Sequence, residues 1–87
     1  MADAGADRGR ARLVFMGRLE DIAGAGERSM VAGPLEAMLS ALEPELALAL
    51  LDERIRIALN GVLIAERGGI VLAGGDELAF LPPVSGG

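Results

Sequence analysis

Cysteine, histidine and lysine are all absent from this chain of 87 residues. Their absence excludes a disulfide frame, a thiol nucleophile, a zinc-thiolate site and the commonest general base and metal ligand. Three adjacent carboxylate pairs remain as candidates for acid–base chemistry: Glu20-Asp21, Asp52-Glu53 and Asp76-Glu77. Neighbouring surface carboxylates are usually just solvated. We therefore expect no metal site and no enzyme active site within the chain.

Aromatic residues and long apolar runs are also scarce. Only Phe15 and Phe80 are aromatic, although 52% of the residues are hydrophobic, so an aliphatic core is expected. The longest apolar run lies around Leu46–Leu51 and is far too short to cross a membrane. The first residues, "MADAGADRGRAR", lack the hydrophobic core of a signal peptide. These features predict one small cytoplasmic domain.

The charge balance excludes further classes of partner. Formal net charge is −5, and all eight basic residues are arginines. No basic stripe is available to replace phosphate counterions, so we expect neither nucleic acid nor an anionic membrane as a partner. A basic protein surface would suit the overall charge better.

The first half of the chain predicts strands before a helical layer. Residues 1–10 have nothing to bury and predict a disordered tail, whereas "RLVFM" (12–16) is typical of a first strand. A short helix over 17–24 and an edge strand over 27–31 are expected next. In 34–51, Pro34 suits a first helical turn and Pro44 a second start, which predicts a helix–break–helix layer. Its apolar stripe is formed by Leu35, Met38, Leu39 and Leu42.

The second half predicts a hairpin and a last strand. Asn60-Gly61 lies between two alternating apolar runs, and this pair favours a tight hairpin turn. The glycine pairs Gly68-Gly69 and Gly74-Gly75 lack the lysine of a phosphate-binding loop and are expected in turns. The stretch 77–81 is the predicted final strand. The element order indicates an α+β roll over residues 11–81, with a mixed sheet packed on the helical layer.

The sequence ends with "FLPPVSGG", and residues 82–87 are expected to form an extended tail. Pro82 and Pro83 cannot donate to a strand ladder, so the last strand must stop there. Val84 and Ser85 lead to Gly86 and Gly87, which have no side chains and can enter a narrow channel in a partner. A carboxylate is a poor acyl donor, so a partner would have to activate Gly87, for instance as an acyl-adenylate. The alternative is an end that simply frays.

Three stretches carry a family resemblance: "GGDELAFLPPVSGG", "IALNG" and "LVFMGRLEDIAG". Together they resemble the MoaD-like small subunit of molybdopterin synthase, in the ThiS/MoaD group of sulfur carriers, over roughly residues 12–87. The resemblance implies a ubiquitin-like β-grasp fold. It also implies that a MoeB-like enzyme adenylates Gly87 with ATP and that sulfur then replaces the adenylate as a thiocarboxylate.

The same resemblance implies the later steps. The tail would insert into a MoaE-like large subunit, with Gly86 fitting the channel, and sulfur would pass to cyclic pyranopterin monophosphate to build molybdopterin. This chain would then be a sulfur-donating, non-catalytic subunit. It would hold no permanent cofactor, and ATP would be consumed by the activating enzyme.

Strand parity predicts which face of the sheet meets the partner. The expected core face is formed by Leu13, Phe15, Ile55, Ile57, Leu59, Val62, Ile64, Leu78 and Phe80. Met16, Ala58, Leu63 and Leu81 have the opposite parity and should face outward. A single-layer sheet needs only one apolar face, so a second one is a candidate interface. The family resemblance implies docking through this face.

Two other functions stay open at this point. A ThiS-like carrier would deliver sulfur to a different acceptor. A ubiquitin-like modifier would instead join Gly87 to lysines of target proteins. A plain interaction domain would leave the tail without explanation.

Overall fold

The strand and helix boundaries come from a computed structural model that describes residues 9–83. The strands are β1 (Arg10–Phe15), β2 (Glu27–Val31), β3 (Gly33–Pro34), β4 (Arg56–Leu59), β5 (Val62–Ile64), β6 (Val71–Leu72) and β7 (Glu77–Leu81). The helices are α1 (Arg18–Ala23), α2 (Leu35–Ser40) and α3 (Pro44–Leu50). The predicted tail at 1–10 lies largely outside the described residues, but its last residue, Arg10, opens β1 and pairs with Val31.

Five strands form one mixed sheet in the order β2-β1-β7-β4-β5. Strand β7 is parallel to β1 and antiparallel to β4, so the last strand of the chain occupies the centre of the sheet. A central strand has both edges paired and both faces available for packing. Pro82 and Pro83 therefore follow the middle strand of the sheet rather than an edge strand.

The helical layer forms where the proline positions predict it. Pro34 takes an extended conformation just before α2, and Pro44 is the first residue of α3, where its missing N–H costs no helical hydrogen bond. Between them Leu42 is buried, so the break still contributes to the core. No helix among the described residues has the length and apolar character needed to span a bilayer.

The core lies between this layer and one face of the sheet. Its fully buried members include Phe15 and Phe80, the two aromatics, whose stacked rings have centroids 6.0 Å apart. The other buried residues are Ala11, Leu13, Leu19, Leu35, Met38, Leu42, Leu46, Leu50, Ile55, Ile57, Leu72 and Leu78. Each large side chain of this kind contributes roughly 1.5 to 3 kcal/mol of burial free energy. Most of the predicted core face is thereby confirmed.

The hairpin forms as predicted, but the helices do not cover the residues beside its turn. Asn60 and Gly61 both have positive φ, at 50° and 87°, as a two-residue hairpin turn requires. Val62 has the parity of the core face, as predicted, but its side chain is 67% exposed. It pairs with Leu59 next to the turn. Leu59 is only half-buried, so the helices do not reach this end of the sheet.

A small second sheet was not predicted. Strands β3 and β6 have two residues each and pair Gly33 with Leu72 and Pro34 with Val71. Runs this short carry no alternation that a sequence pattern could show. The ladder holds the start of α2 against the 67–73 segment, where the Leu35 N–H also donates to the Ile70 carbonyl at 2.9 Å.

Candidate functional site

The predicted tail begins where β7 ends. Leu81 is the last strand residue, Pro82 is half-buried and Pro83 is exposed. The remaining predicted tail residues, Val84, Ser85, Gly86 and Gly87, lie outside the described residues. The structure therefore shows the base of the tail, which leaves from the central strand as the prolines predict.

The predicted interface residues all lie on the outer face of the sheet, opposite the helices. Leu63 is 63% exposed and Met16 is 44% exposed, whereas Ala58 and Leu81 are half-buried. The Met16 N–H donates to the Phe80 carbonyl at 3.2 Å, which puts Met16 beside the end of β7. The structure thus brings the four residues to one face, next to the base of the tail.

Strand register adds two residues that the sequence reasoning missed. Val14 pairs with Ala79, Ala79 pairs with Ala58, and Ala58 pairs with Leu63. These four side chains form a continuous apolar row across the sheet, because directly paired residues lie about 5 Å apart on the same face. Val14 and Ala79 share the strand parity of Met16 and Leu81, so alternation alone could have identified them. We call Met16, Ala58, Leu63, Leu81, Val14 and Ala79 together the outer patch.

Charged side chains surround the outer patch. Arg12 forms ion pairs with Glu27 at 3.1 Å and with Glu77 at 2.6 Å on the part of the face farther from the tail. Arg10 donates to the Ser29 hydroxyl at 2.7 Å. Arg56 is the third arginine on this face. Three arginines and two glutamates thus lie here, although the whole chain is acidic.

Arg56 lies directly beside the base of the tail, since it pairs with Leu81 across β4 and β7. Within residues 9–83 it forms no ion pair or side-chain hydrogen bond. An open groove of about 930 Å³ runs along this edge and is lined by Arg56, Ile64, Pro82 and Pro83. A cation without a carboxylate partner in the described part of the chain therefore adjoins both the outer patch and the base of the tail.

Two other arginines that line this groove are engaged in structure. Arg54 donates to both carboxylate oxygens of Asp52, and these hydrogen bonds hold the Asp52 pKa well below its ordinary value. Arg67 donates to the main-chain carbonyls of Leu50 at 2.6 Å, Asp52 at 3.2 Å and Ile55. It thereby ties the end of α3 to the start of β4.

Of the three carboxylate pairs considered as possible acid–base groups, Asp76-Glu77 has structural partners for both side chains. Asp76 accepts the Ala73 N–H at 2.9 Å and the Asn60 side-chain amide at 3.1 Å. The backbone hydrogen bond, followed by the amide, lowers the Asp76 pKa. In return the Glu77 N–H donates to the Asn60 side chain at 3.0 Å. This pair thus joins the hairpin turn to the start of β7.

Comparison with known proteins gives one family match and several structural relatives. The model of the ThiS family matches residues 13–87. Among curated proteins, none matches the chain significantly. The crystal structure of SAMP1 from Haloferax volcanii is 29% identical, covers 91% of this chain and 100% of its own, and has a TM-score of 0.73.

Two further solved structures extend the likeness. The small archaeal modifier protein 1 from Methanosarcina acetivorans is 27% identical, with a TM-score of 0.68 and coverage of 91% of this chain and 97% of its own. A complex of subunits 1 and 2 of molybdopterin-converting factor from Helicobacter pylori contains a chain 28% identical to this one. That match covers 90% of this chain and 99% of the other, with a TM-score of 0.62. The predicted ubiquitin-like β-grasp fold is confirmed by these likenesses.

Proposed function

The chain belongs to the ThiS family, and we propose that it carries sulfur as a thiocarboxylate on Gly87 for the synthesis of molybdopterin. The observation that carries this proposal is the position of the base of the tail. A central strand ends at Leu81, just before Pro82-Pro83 and beside an apolar outer patch, and the family match continues through Gly87. A partner that docks on the patch therefore has the base of the tail at the edge of its contact surface.

The chemistry requires activation by a second protein. A MoeB-like enzyme would join the Gly87 carboxylate to the α-phosphorus of ATP and release pyrophosphate. A sulfide-level nucleophile would then displace AMP and leave the thiocarboxylate. Each carrier holds one sulfur and returns to a carboxylate after transfer. Molybdopterin contains two dithiolene sulfurs, so two loaded carriers are consumed for each molecule formed.

A MoaE-like large subunit is the proposed receiver of the tail. The likeness to a chain in the two-subunit molybdopterin-converting factor of Helicobacter pylori supports this partner. The outer patch supplies apolar contact, and Arg56 beside Leu81 favours a carboxylate on the facing surface. Although the net charge of −5 favours a basic partner, the charge of this face favours an acidic border around an apolar centre.

Protein modification is the second candidate, and the likeness to the two SAMP1 structures favours it. In that case a target lysine would attack the adenylated carboxyl group of Gly87 and displace AMP. The product would be an isopeptide bond instead of a thiocarboxylate. Because this chain has no lysine, it could not extend a polymer through its own side chains.

Reconstituted transfer tests the proposal against this alternative. The loaded carrier is mixed with a MoaE-like subunit and cyclic pyranopterin monophosphate, and molybdopterin is measured by mass spectrometry. We expect two carriers to lose sulfur for each molybdopterin formed, and a chain lacking Gly87 to give none. Loss of sulfur without product would indicate a different acceptor, as for a ThiS-like carrier. Conjugates on lysines of added proteins would indicate a modifier.

A further inference from the structure

Gly17 and Pro82 are in contact just beyond the paired ends of β1 and β7. Phe15 pairs with Phe80, and the next residues continue side by side. A Cβ placed on Gly17 would lie 3.1 Å from the Pro82 Cγ and 3.9 Å from its Cδ. The first distance is shorter than the usual separation of two non-bonded carbon atoms. The proline ring therefore leaves little room for a side chain on Gly17.

The Gly17 side of this contact is held by α1. Gly17 has φ 56° and ψ −135°, a conformation that residues with side chains rarely adopt. Its carbonyl accepts the Glu20 N–H at 3.1 Å, and the Leu19 N–H donates to Met16, also at 3.1 Å. Leu19 is completely buried and anchors the helix. Gly17 thus presents a fixed surface to the tail.

The Pro82 side of the contact sets where the chain goes next. Proline has a fixed φ and no N–H, so it cannot continue the ladder with β1. Instead its ring packs on Gly17, while Pro82 and Pro83 also line the groove beside Arg56. The direction in which the chain leaves β7 therefore depends on how closely Pro82 approaches Gly17.

We infer that Gly17 is a positioning residue that aims the tail, an inference that rests on the proposed function of Gly87. Six residues from Pro82 to Gly87 reach about 20 Å at full extension. A Cβ on Gly17 would require Pro82 to shift by a few tenths of an ångström, and any change of direction at Pro82 is magnified along an extended tail. A narrow channel is sensitive to such displacements, since about 1 Å can cost roughly 100-fold in rate.

The contact can be tested directly, without any sulfur chemistry. In the wild-type protein we expect nuclear Overhauser effects between the Gly17 Hα atoms and the Pro82 ring. Gly17→Ala should shift the amide resonances of residues 84–87. Gly24→Ala is the matched control, because Gly24 ends the same helix at φ 80° and a Cβ there meets nothing within 4 Å. Absence of the wild-type contact signals, or equal tail shifts in both variants, would overturn the inference.

The functional part is tested by adenylation with the activating enzyme, measured as ATP–pyrophosphate exchange on variants shown to be folded. With the outer patch intact, Gly17→Ala should leave KM nearly unchanged and lower kcat about 10- to 100-fold. Gly24→Ala should stay within about twofold of wild type, because its strain is not transmitted to the tail. Pro82→Ala removes the Cγ that the new Cβ meets, so adding Gly17→Ala to Pro82→Ala should lower kcat much less than adding it to the wild-type chain.

Each outcome bears on a different claim. Equal kcat losses in Gly17→Ala and Gly24→Ala, or an equally large effect of Gly17→Ala with and without Pro82, would contradict the positioning role while leaving the carrier function intact. If the wild-type chain is not adenylated by an enzyme active on a known carrier, the proposed function fails. The resonance experiment then still decides whether Gly17 aims the tail.

Discussion

At the scale of single residues, Asp76 links the pH of the solution to the stability of the fold. Its carboxylate accepts hydrogen bonds from Ala73 and Asn60, which join two turns at one end of the sheet. These bonds favour the charged form and lower the Asp76 pKa in the folded state. The stability they provide is therefore present above the ordinary carboxyl pKa, near 3.9, and is lost as the pH falls through the folded-state value.

Asp76→Asn should remove most of this pH dependence. An amide replaces one acceptor oxygen by a donor, so one of the two hydrogen bonds is lost at neutral pH. We expect the variant to unfold at lower urea concentration than wild type at pH 7, and the gap to narrow at pH 3. Urea unfolding curves at both pH values measure this. A gap that is equal at pH 7 and pH 3 would contradict the assigned role of Asp76.

Arg67 is a second residue with a defined structural role. Its half-buried guanidinium donates to three main-chain carbonyls at the junction of α3 and β4. Arg67→Ala leaves these acceptors without a partner and should cost about 2 to 3 kcal/mol of unfolding free energy. Arg54→Ala is the control, since that side chain is 69% exposed and binds Asp52 alone, so its loss should cost under about 1 kcal/mol. Equal losses of unfolding free energy in the two variants, measured by urea denaturation, would contradict this structural role of Arg67.

At the scale of elements, strand β5 offers both a test of the predicted interface and a matched control for a surface substitution outside it. Val62 and Leu63 are adjacent, 67% and 63% exposed, and point to opposite faces of the sheet. Leu63→Glu places a charge in the outer patch and should weaken copurification with a MoaE-like subunit at least about tenfold, because a charge would be buried unpaired. Val62→Glu should leave copurification unchanged. Equal binding by both variants would remove the outer patch as the interface.

The elements also show what sequence patterns reach and what they miss. The alternation of apolar and polar residues predicted the strands, because each strand has one face covered by the core, as at Leu13 and Phe80. The prolines predicted where the helices begin. Val62 follows the same alternation, but no periodicity records how far the helices extend over a sheet. The β3–β6 ladder is too short to carry a pattern. The Gly17–Pro82 contact joins residues 65 positions apart and depends on strand register, which a single sequence does not give.

At the scale of the whole molecule, the acidic charge is not evenly distributed. The outer face carries Arg10, Arg12 and Arg56 against Glu27 and Glu77, so these residues carry an excess of positive charge and the net negative charge lies elsewhere. The total of −5 therefore does not describe the charge of this face. Charge on a docking face acts mainly on specificity and association rate. The outer patch remains the predicted source of affinity.

The arrangement of the fold also explains why the tail begins at a rigid base. Strand β7 is paired on both sides, and its buried residues Leu78 and Phe80 lie in the middle of the core. A force on the tail therefore acts on a strand that is hydrogen-bonded along both edges. A sulfur-carrying end benefits from such a base because its reactive group must be presented repeatedly in the same geometry.

The most direct test of the central claim is detection of a thiocarboxylate at Gly87. The protein is incubated with ATP, a sulfur source and a MoeB-like enzyme, treated with a thiol alkylator and analysed by intact and peptide mass spectrometry. Because the chain has no cysteine, no side chain can take up the alkylator as a thiol. The adduct is needed because oxidation of one of the four methionines adds nearly the same mass as replacing oxygen by sulfur.

We predict one adduct, located on the C-terminal peptide and lost when Gly87 is deleted. No adduct, under conditions in which the same enzyme loads a known carrier, would contradict the assignment of this chain as a sulfur carrier.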